Sequence, residues 1–304
     1  MSNPDPGPDH TAPPGPPVLG AALAPLAARY GYWLGMDAHQ VLLDRDEAAC
    51  DVRSMPLILR MERSDPPLWS AALAGAATAA TALSLDPRAA PGGVWFDAMS
   101  SYCAAHIRKV TRRARGIQWV AAAELPGITI TAGGFQGPST QVHAIVPGLV
   151  TDLDPRISKL QVGGTDVATD LDVGGAGGVR AACNRELIAL GDQKEAIREA
   201  PSLLMWLPPH VQMTAGKAMA QTGHAGMIAA ALMARVQQER LRRWWETGLQ
   251  TQVRRADGRQ WALLAASVAA PEAAWSHGLV AVRDAGFTEI APGTVTVIAD
   301  ASAI

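Results

Sequence analysis

The sequence lacks several features that would assign a function directly. It has three cysteines, an odd number at wide spacing, which argues against a disulfide framework and against a CxxC metal site. Basic and acidic residues nearly balance, with a formal net charge of -2, so any surface for a polyanion must be local. Neither a GxSxG nucleophile elbow nor a GxxxxGK[ST] phosphate loop occurs. The cysteine usage favours a reducing, cytoplasmic setting.

Charged residues are also missing from residues 68–85, the longest uncharged run. The run is long enough to cross a bilayer, but it consists mostly of Ala, Thr, Ser and Gly rather than Leu, Ile and Phe. We therefore predict a buried helix and no membrane partner. Residues 1–17 are rich in Pro, Asp and Gly, without the basic flank and apolar centre of a secretion signal, and are predicted to be a disordered tail.

Local patterns predict a mixed α/β chain. Apolar residues recur at three- and four-residue steps within residues 18–51, which predicts a helical segment. Short apolar or β-branched runs of strand length predict strands at 56–61, 118–122, 127–131, 202–207 and 294–299. Gly recurs without a period within 163–178, the best candidate for a linker.

The second half of the chain repeats the plan of the first. Residues 112–119, RRARGIQW, match residues 254–261, RRADGRQW, at six of eight positions without a gap. Each block follows an apolar strand-like run and an Ala-rich helix, and residues 150–155 parallel residues 287–292. These matches indicate an internal duplication of a unit of ordinary domain size.

The predicted architecture is therefore α/β, with tandem duplicated three-layer α/β/α units, each a mixed, roughly four-stranded sheet flanked by helices. The predicted divisions are a disordered tail at 1–17, a helical extension at 18–54, a first unit at 55–162, a linker at 163–200 and a second unit at 201–304.

One polar stripe distinguishes the second unit from the first. Lys217, Gln221 and His224 fall at i, i+4 and i+7 in an otherwise apolar helix, so they share one face. Aligning the two Ala-rich helices places Leu68, Ala72 and Gly75 at these positions in the first unit. Opposite residues 284–286 the first unit has residues 147–149, Pro-Gly-Leu, with no acid. Any chemistry is expected in the second unit.

Residues 283–299 add an acid and hydroxyl groups to this stripe. The pattern predicts a loop with Asp284, a Pro-Gly turn and a strand with Thr294 and Thr296 on one face. A neutral His near an Asp can orient or deprotonate water, and Lys or Gln can stabilise negative charge on a carbonyl oxygen. The combination is typical of a hydrolytic site.

These two motifs, GKAMAQTGHA at 216–225 and DAGFTEIAPGTVTVIA at 284–299, resemble the signatures of the type II peptidyl-tRNA hydrolases in spacing and order. The resemblance covers about residues 201–300. It implies hydrolysis of the ester joining a peptide, or an N-blocked aminoacyl group, to tRNA, which recycles the tRNA. It also implies a mixed four-stranded sheet with helices on both faces, and neither a metal nor an organic cofactor.

The resemblance also implies site residues. Matching positions are Lys217, Gln221, His224, Asp284, Thr288 and Thr296. We expect His224 to act as base with Asp284 as its orienting partner, and Lys217 to bind the tRNA end or the oxyanion. Gly216 suits a helix start near phosphate or substrate.

The basic residues of the second unit have two interpretations. Arg254 and Arg255 could follow a tRNA backbone, together with Arg235, Arg240, Arg242, Arg243 and Arg259, while Trp244 and Trp245 stack on bases. Alternatively they form a solvated helix face and a hairpin turn. The first unit has a similar strip, composed of Arg108, Lys109, Arg112, Arg113 and Arg115.

Two hypotheses for the whole chain remain open. The first is a peptidyl-tRNA hydrolase with tRNA as partner, in which the degenerate first copy takes the place of a second subunit as an internal pseudo-dimer, or which forms a homodimer. The second is a catalytically weak RNA- or protein-binding module that retains the hydrolase fold.

Overall fold

The computed structural model describes residues 18–35, 48–133, 139–174, 180–181, 201–284, 286 and 290–304. The predicted tail at 1–17, residues 36–47 of the predicted helical extension and much of the predicted linker lie outside this part of the chain. The last two residues of the predicted extension, Arg53 and Ser54, belong to a strand. Within the extension, a 3-10 turn, Ala21–Leu23, leads into helix α1, Ala24–Gly35.

The first unit alternates strands and helices. Its elements are β1 (Arg53–Arg60), α2 (Trp69–Leu85), a 3-10 turn (Pro87–Ala89), α3 (Phe96–Ala104), β2 (Lys109–Ala114), α4 (Gly116–Ala123), β3 (Gly127–Gly133) and β4 (Ser139–Ile145). The short strand β5 (Gly148–Leu149) and the one-turn helix α5 (Pro155–Ser158) follow.

The second unit repeats this order. After the short strand β6 (Arg180–Ala181) come β7 (Leu203–Leu207), α6 (Ala215–Val236), α7 (Gln238–Glu246), β8 (Thr251–Arg255), α8 (Gly258–Ser267), α9 (Pro271–Ser276), β9 (Leu279–Arg283) and β10 (Val295–Asp300).

Sheet topology is the same in both units. The first sheet has the order β2-β1-β4-β3 and the second β8-β7-β10-β9, with β5 and β6 as additional short strands. In each, the first two strands are parallel and the remaining pairings are antiparallel. The register also agrees, because Arg112 pairs with Ile58 as Arg254 pairs with Trp206. The predicted fold class is confirmed.

Two details of the sequence interpretation are wrong. Residues 118–122 lie in α4, not in a strand, because Trp119 and Ala122 are three residues apart and reach the core from one helical face. Residues 150–155 follow β4 and β5, whereas residues 287–292 lie between β9 and β10. The supposed parallel therefore joins segments at different places in the strand order, because β9 corresponds to β3. For the same reason residues 147–149 are not the counterpart of residues 284–286.

The core lies between the two sheets. Helices α2 and α6 pack against each other, and each also contacts both sheets. Nearly every side chain of α2 is buried, as its small apolar residues predicted. Smaller apolar clusters around Trp119 and Trp261 cover the outer faces of the sheets. Among the described residues, no helix is long and apolar enough to cross a membrane.

Candidate active site

A pocket lies at the junction of the two units. Its volume is about 480 Å³. The wall from the second unit comes from the start of α6 and from residues 282–284 at the end of β9, and residues 106–111 of the first unit form the opposing wall. Val162, at the end of the first unit, and Thr165, from the segment between the units, complete the lining.

Helix α6 begins at the pocket. Thr214 caps it, its hydroxyl accepting a hydrogen bond from the Lys217 amide. The Gly216 amide donates to the Thr165 hydroxyl at 3.1 Å, and the Gly216 carbonyl accepts from the Thr111 hydroxyl at 2.9 Å. A Cβ at position 216 would lie 2.6 Å from Thr165 Oγ1. Glycine is therefore required here by close packing against the connecting segment.

The predicted stripe meets the predicted acid. The Lys217 ammonium forms an ion pair with Asp284 Oδ2, and Gln221 Nε2 donates to the same oxygen at 2.9 Å. Thr296 donates its hydroxyl proton to Gln221 Oε1 at 2.7 Å, which fixes the orientation of the amide. Asp284 is 2 % exposed and Lys217 has a side chain 13 % exposed. The network holds a buried carboxylate and presents the lysine to the pocket.

The backbone after β9 holds Asp284 in place. Its Oδ1 accepts a hydrogen bond from the Gly286 amide at 2.7 Å. Its own amide donates to the Thr294 carbonyl, and its carbonyl accepts from the Gly293 amide. Gly286 has φ of 71° and a Cβ there would lie 2.3 Å from Pro292, so this turn requires glycine. Thr288, the remaining predicted hairpin threonine, lies outside the described residues.

His224 has a partner that the sequence interpretation did not anticipate. Its Nδ1 lies 3.2 Å from Nζ of Lys109, at the start of β2 in the first unit. Burial, with the charges of Lys109 and Lys217, lowers the pKa of His224 well below its usual 6.5. Asp284 bonds to Lys217, Gln221 and Gly286 instead. Lys109 thus takes the place beside His224 that was expected for Asp284, and the His224 imidazole is a weak proton acceptor.

Lys109 is buried beside two side chains of α3. Nζ lies 3.3 Å from the Tyr102 hydroxyl oxygen, whose own proton is donated to the Arg108 carbonyl, and 5.6 Å from the centroid of the Tyr102 ring. Burial lowers the pKa of Lys109 to about 7. The same burial raises the pKa of the neighbouring Cys103 to about 12. The sequence interpretation placed Lys109 on a solvated or RNA-binding strip and missed it as a site residue.

The two arginines predicted to bind substrate lie on different faces of the second sheet. Arg254 is 5.7 Å above the ring of Trp206, in the outer layer. Arg255 donates to the Pro209 carbonyl and lines a smaller pocket of about 210 Å³, which shares Thr214 with the larger one. Arg255 is thus separated from the site pocket by Thr214, and Arg254 lines neither pocket.

Helix α7 is a solvated face rather than a stacking platform. Trp244 is fully buried and donates Nε1–H to the Gln250 carbonyl, so its predicted role in base stacking is wrong. Arg242 pairs with Glu239 and Glu246 on the exposed side of the helix. The solvated interpretation therefore holds for this part of the arginine set.

Comparison with known families agrees with the geometry of the second unit. Residues 204–301 match the family model of Peptidyl-tRNA hydrolase PTH2. No curated protein and no solved structure gives a match. The match contains β7 to β10 and the whole Lys217, Gln221, Asp284 and Thr296 network, so the resemblance of this third of the chain to that family is confirmed.

The arrangement is suited to stabilising negative charge. Four basic side chains line the pocket, Arg108, Lys109, Lys217 and Arg283, against one acidic side chain, Asp284. Apolar side chains, among them Ile107, Val110 and Val282, form part of the remaining lining, and charges in such surroundings interact more strongly than in water. The pocket can therefore stabilise an oxyanion or a phosphate group beside an apolar part of the same ligand.

Proposed function

We propose that the chain hydrolyses the ester bond between a peptide, or an N-blocked aminoacyl group, and tRNA. The observation that supports this most is the Lys217–Asp284–Gln221–Thr296 network, formed by both separated motifs at the mouth of one pocket within the region that matches the hydrolase family. A fold match alone would support much less, because function depends on the site.

The roles follow from the contacts. Asp284, held by Gln221 and the Gly286 amide, orients Lys217. The Lys217 ammonium stabilises the negative charge that develops on the ester carbonyl oxygen when water attacks. We assign His224 a donor role rather than the expected role of base, since its surroundings disfavour the imidazolium ion. Gly216 and Arg255 border the region where the tRNA end enters, whereas Arg254 supports the outer layer.

The first unit is proposed to be a degenerate copy of the hydrolase unit. Identical topology and register support a common origin of the two units. Its boundaries at 55–162, and those of the second unit at 201–304, remain proposals. Because α2 and α6 pack together, the two units form an internal pseudo-dimer, which gives this chain the arrangement of a dimer without a second copy. A cytoplasmic location and tRNA as partner belong to the same proposal.

The test is release of tRNA from N-blocked aminoacyl-tRNA by purified protein. We expect turnover by the wild type and a loss of about 100-fold or more in Asp284→Asn, which removes the charge that orients Lys217. Asp172→Asn, at an exposed position between the units, is the matched control and keeps full activity. His224→Ala is expected to lose activity as well.

A different result would support the binding-module alternative. Wild-type protein that binds tRNA tightly but releases no more tRNA than Asp284→Asn would overturn the enzymatic proposal. Binding measured by filter retention with deacylated tRNA separates these outcomes, because it requires no chemistry.

A further inference from the structure

The contact between Lys109 and His224 joins the two units at the catalytic pocket. Lys109 belongs to β2 of the first unit, and His224 to α6 of the second. Both line the same pocket. The first unit therefore supplies more than a support for the hydrolase fold, because one of its side chains reaches a proposed site residue.

The hydrogen bonds around Lys109 determine where the His224 proton lies. A lysine ammonium has three donors and no acceptor. One of its protons goes to Tyr102, whose oxygen is free to accept because its own proton is given to the Arg108 carbonyl. Another goes to His224 Nδ1, which must then be the unprotonated nitrogen of a neutral ring. The ring proton lies on Nε2, the nitrogen that remains available to a ligand.

We propose that Lys109 is a positioning residue of the catalytic centre, whose ammonium holds the proton of His224 on Nε2 so that this nitrogen donates to the ester carbonyl oxygen. The catalytic consequence rests on the proposed hydrolase function, whereas the tautomer does not. In this arrangement the first unit completes the site of the second.

Helix α6 has space for the side chain of Lys109. The side chain passes over Gly223, where a Cβ would lie 2.9 Å from Lys109 Cδ and 3.1 Å from Cε. Any larger residue at 223 would displace the stem. Glycine costs roughly 1 kcal/mol relative to alanine inside a helix, so a fully buried Gly223 beside His224 needs a packing reason. The close approach of Lys109 provides that reason.

The equivalent positions in the other unit of each residue show that the Lys109–His224 pair occurs on one side of the molecule only. Register places Lys109 opposite Met55 and Thr251 opposite Leu203, which makes Thr251 the counterpart of Lys109. Thr251 is fully buried and donates to the Leu249 carbonyl. The counterpart of His224 is Gly75. Both members of the pair are thus absent on the other side of the molecule.

The counterpart site is also filled. At Gly75 a Cβ would lie 3.2 Å from Val142 and 3.8 Å from Ala132. Ala132 is itself the counterpart of Asp284, because both stand three residues after equivalent paired positions in β3 and β9. At these counterpart positions, Gly75 packs closely against Val142 and Ala132, where the other site has an imidazole and a carboxylate. Differences in both units therefore concentrate the polar groups in a single site.

The titratable groups around Lys109 predict a simple pH dependence of kcat/KM. Tyr102 and Cys103 on α3 have pKa values raised by burial, so both stay neutral near pH 7. On α6, His224 stays neutral as well, and Lys217 is paired with Asp284 across the pocket. Lys109 is the group expected to change charge between pH 6 and 8. We expect kcat/KM to fall as pH rises through about 7.

The kinetic test compares Lys109→Met with Lys109→Gln. Methionine fills similar space without a donor, and we expect kcat to fall roughly 10- to 100-fold with KM within about threefold. Glutamine keeps an uncharged donor, so it should restore part of kcat and abolish the inflection near pH 7. Lys159→Met, at an exposed position in the first unit, is the control and leaves both parameters unchanged.

The tautomer is measured separately by ¹H–¹⁵N correlation spectra of the histidine rings at pH 6, with His224 assigned by its loss in His224→Ala. We expect an unprotonated Nδ1 in the wild type and a mixture of tautomers in Lys109→Met. A protonated Nδ1 in the wild type, or unchanged kinetics in Lys109→Met, overturns the proposal. Wild-type protein without hydrolase activity would refute the proposed function, and the spectra would still decide the role of Lys109.

Discussion

The hydroxyl of Thr222 donates a hydrogen bond to the carbonyl oxygen of Leu73 at 2.9 Å, and these residues hold equivalent positions in the two central helices. One turn further along, a Cβ at Gly226 would lie 3.0 Å from the carbonyl of its counterpart, Ala77. Equivalent residues therefore meet each other along the contact of α2 and α6. Such contacts between equivalent positions support the proposed internal pseudo-dimer, because self-complementary contacts are typical of a twofold interface.

The different surroundings of two glycines in α6 predict different effects of replacing each with alanine. In Gly226→Ala the new methyl meets the Ala77 backbone and lies 2.5 Å from Thr81 Oγ1, so we expect a loss of about 1–3 kcal/mol in the free energy of unfolding. In Gly223→Ala the methyl meets the flexible stem of Lys109. We expect little change in stability, because helix propensity offsets the contact, but a clear loss of kcat.

Urea unfolding and steady-state kinetics of both variants provide the measurement. Equal destabilisation of the two variants would contradict the assignment of Gly223 to the Lys109 contact.

Replacing Lys109 is expected to stabilise the fold. The pKa of Lys109 falls from 10.5 in the unfolded chain to about 7 in the native state, so the native state resists protonation. The unfolded chain binds the extra proton between these values, and stability rises with pH across that range. At and below pH 7 the whole penalty is present. Since one pKa unit corresponds to about 1.4 kcal/mol, Lys109→Met should gain a few kcal/mol at pH 7.

The measurement is the free energy of unfolding of both proteins from pH 6 to 10. The advantage of Lys109→Met should shrink steadily above pH 7. A variant less stable than the wild type at pH 7 would show that the lysine is not a strained group.

Thr296→Val tests the hydroxyl that orients Gln221. The variant keeps shape but leaves Gln221 Oε1 without its donor at 2.7 Å, so the amide can rotate away from Asp284. We expect kcat to fall about tenfold and KM to change little, since this residue acts through Gln221 and Asp284. Thr294→Val, two residues earlier and half-buried, is the control. Equal losses in both variants would indicate a general effect of the hairpin on the site.

The two predicted substrate arginines should separate experimentally. Arg255 lines a smaller pocket that shares Thr214 with the site, so Arg255→Ala is expected to raise KM for aminoacyl-tRNA severalfold and to reduce the salt dependence of binding. Arg254 stacks on Trp206 in the outer layer, so Arg254→Ala should lower stability by about 1 kcal/mol and leave KM unchanged. Kinetics over a salt series, with thermal unfolding in parallel, checks both expectations. A larger KM effect in Arg254→Ala would reverse the assignment.

The sequence predicted those features that depend on local pattern. Helical spacing placed Lys217, Gln221 and His224 on one face, and the repeated block at 112–119 and 254–261 predicted two units of one topology. The prediction of a strand at 118–122 is wrong. Two residues that favour strands, Trp119 and Val120, lie there in a helix of eight residues. Short apolar runs are ambiguous between helix and strand because their periodicity is incomplete.

Local sequence pattern could not predict the contacts between the two units. Lys109 and His224 are 115 residues apart, and in sequence Lys109 is one member of a basic strip. One signal was present in the sequence. When the two units are aligned, Lys109 corresponds to Thr251, which is buried. The gap-free match of residues 112–119 with 254–261, extended by three residues, gives the same correspondence, but the burial of Thr251 and the contact of Lys109 with His224 depend on tertiary packing.

The presence of both units in one polypeptide has a genetic consequence. In an assembly of two identical chains, every substitution is made twice, and a lysine introduced at the position of Lys109 would also replace Thr251. Here the two positions are encoded separately, and so are those of His224 and Gly75. Under the proposed common origin of the two units, joining them in one chain allows one half to gain polar residues while the other gains packing, which two identical chains cannot do.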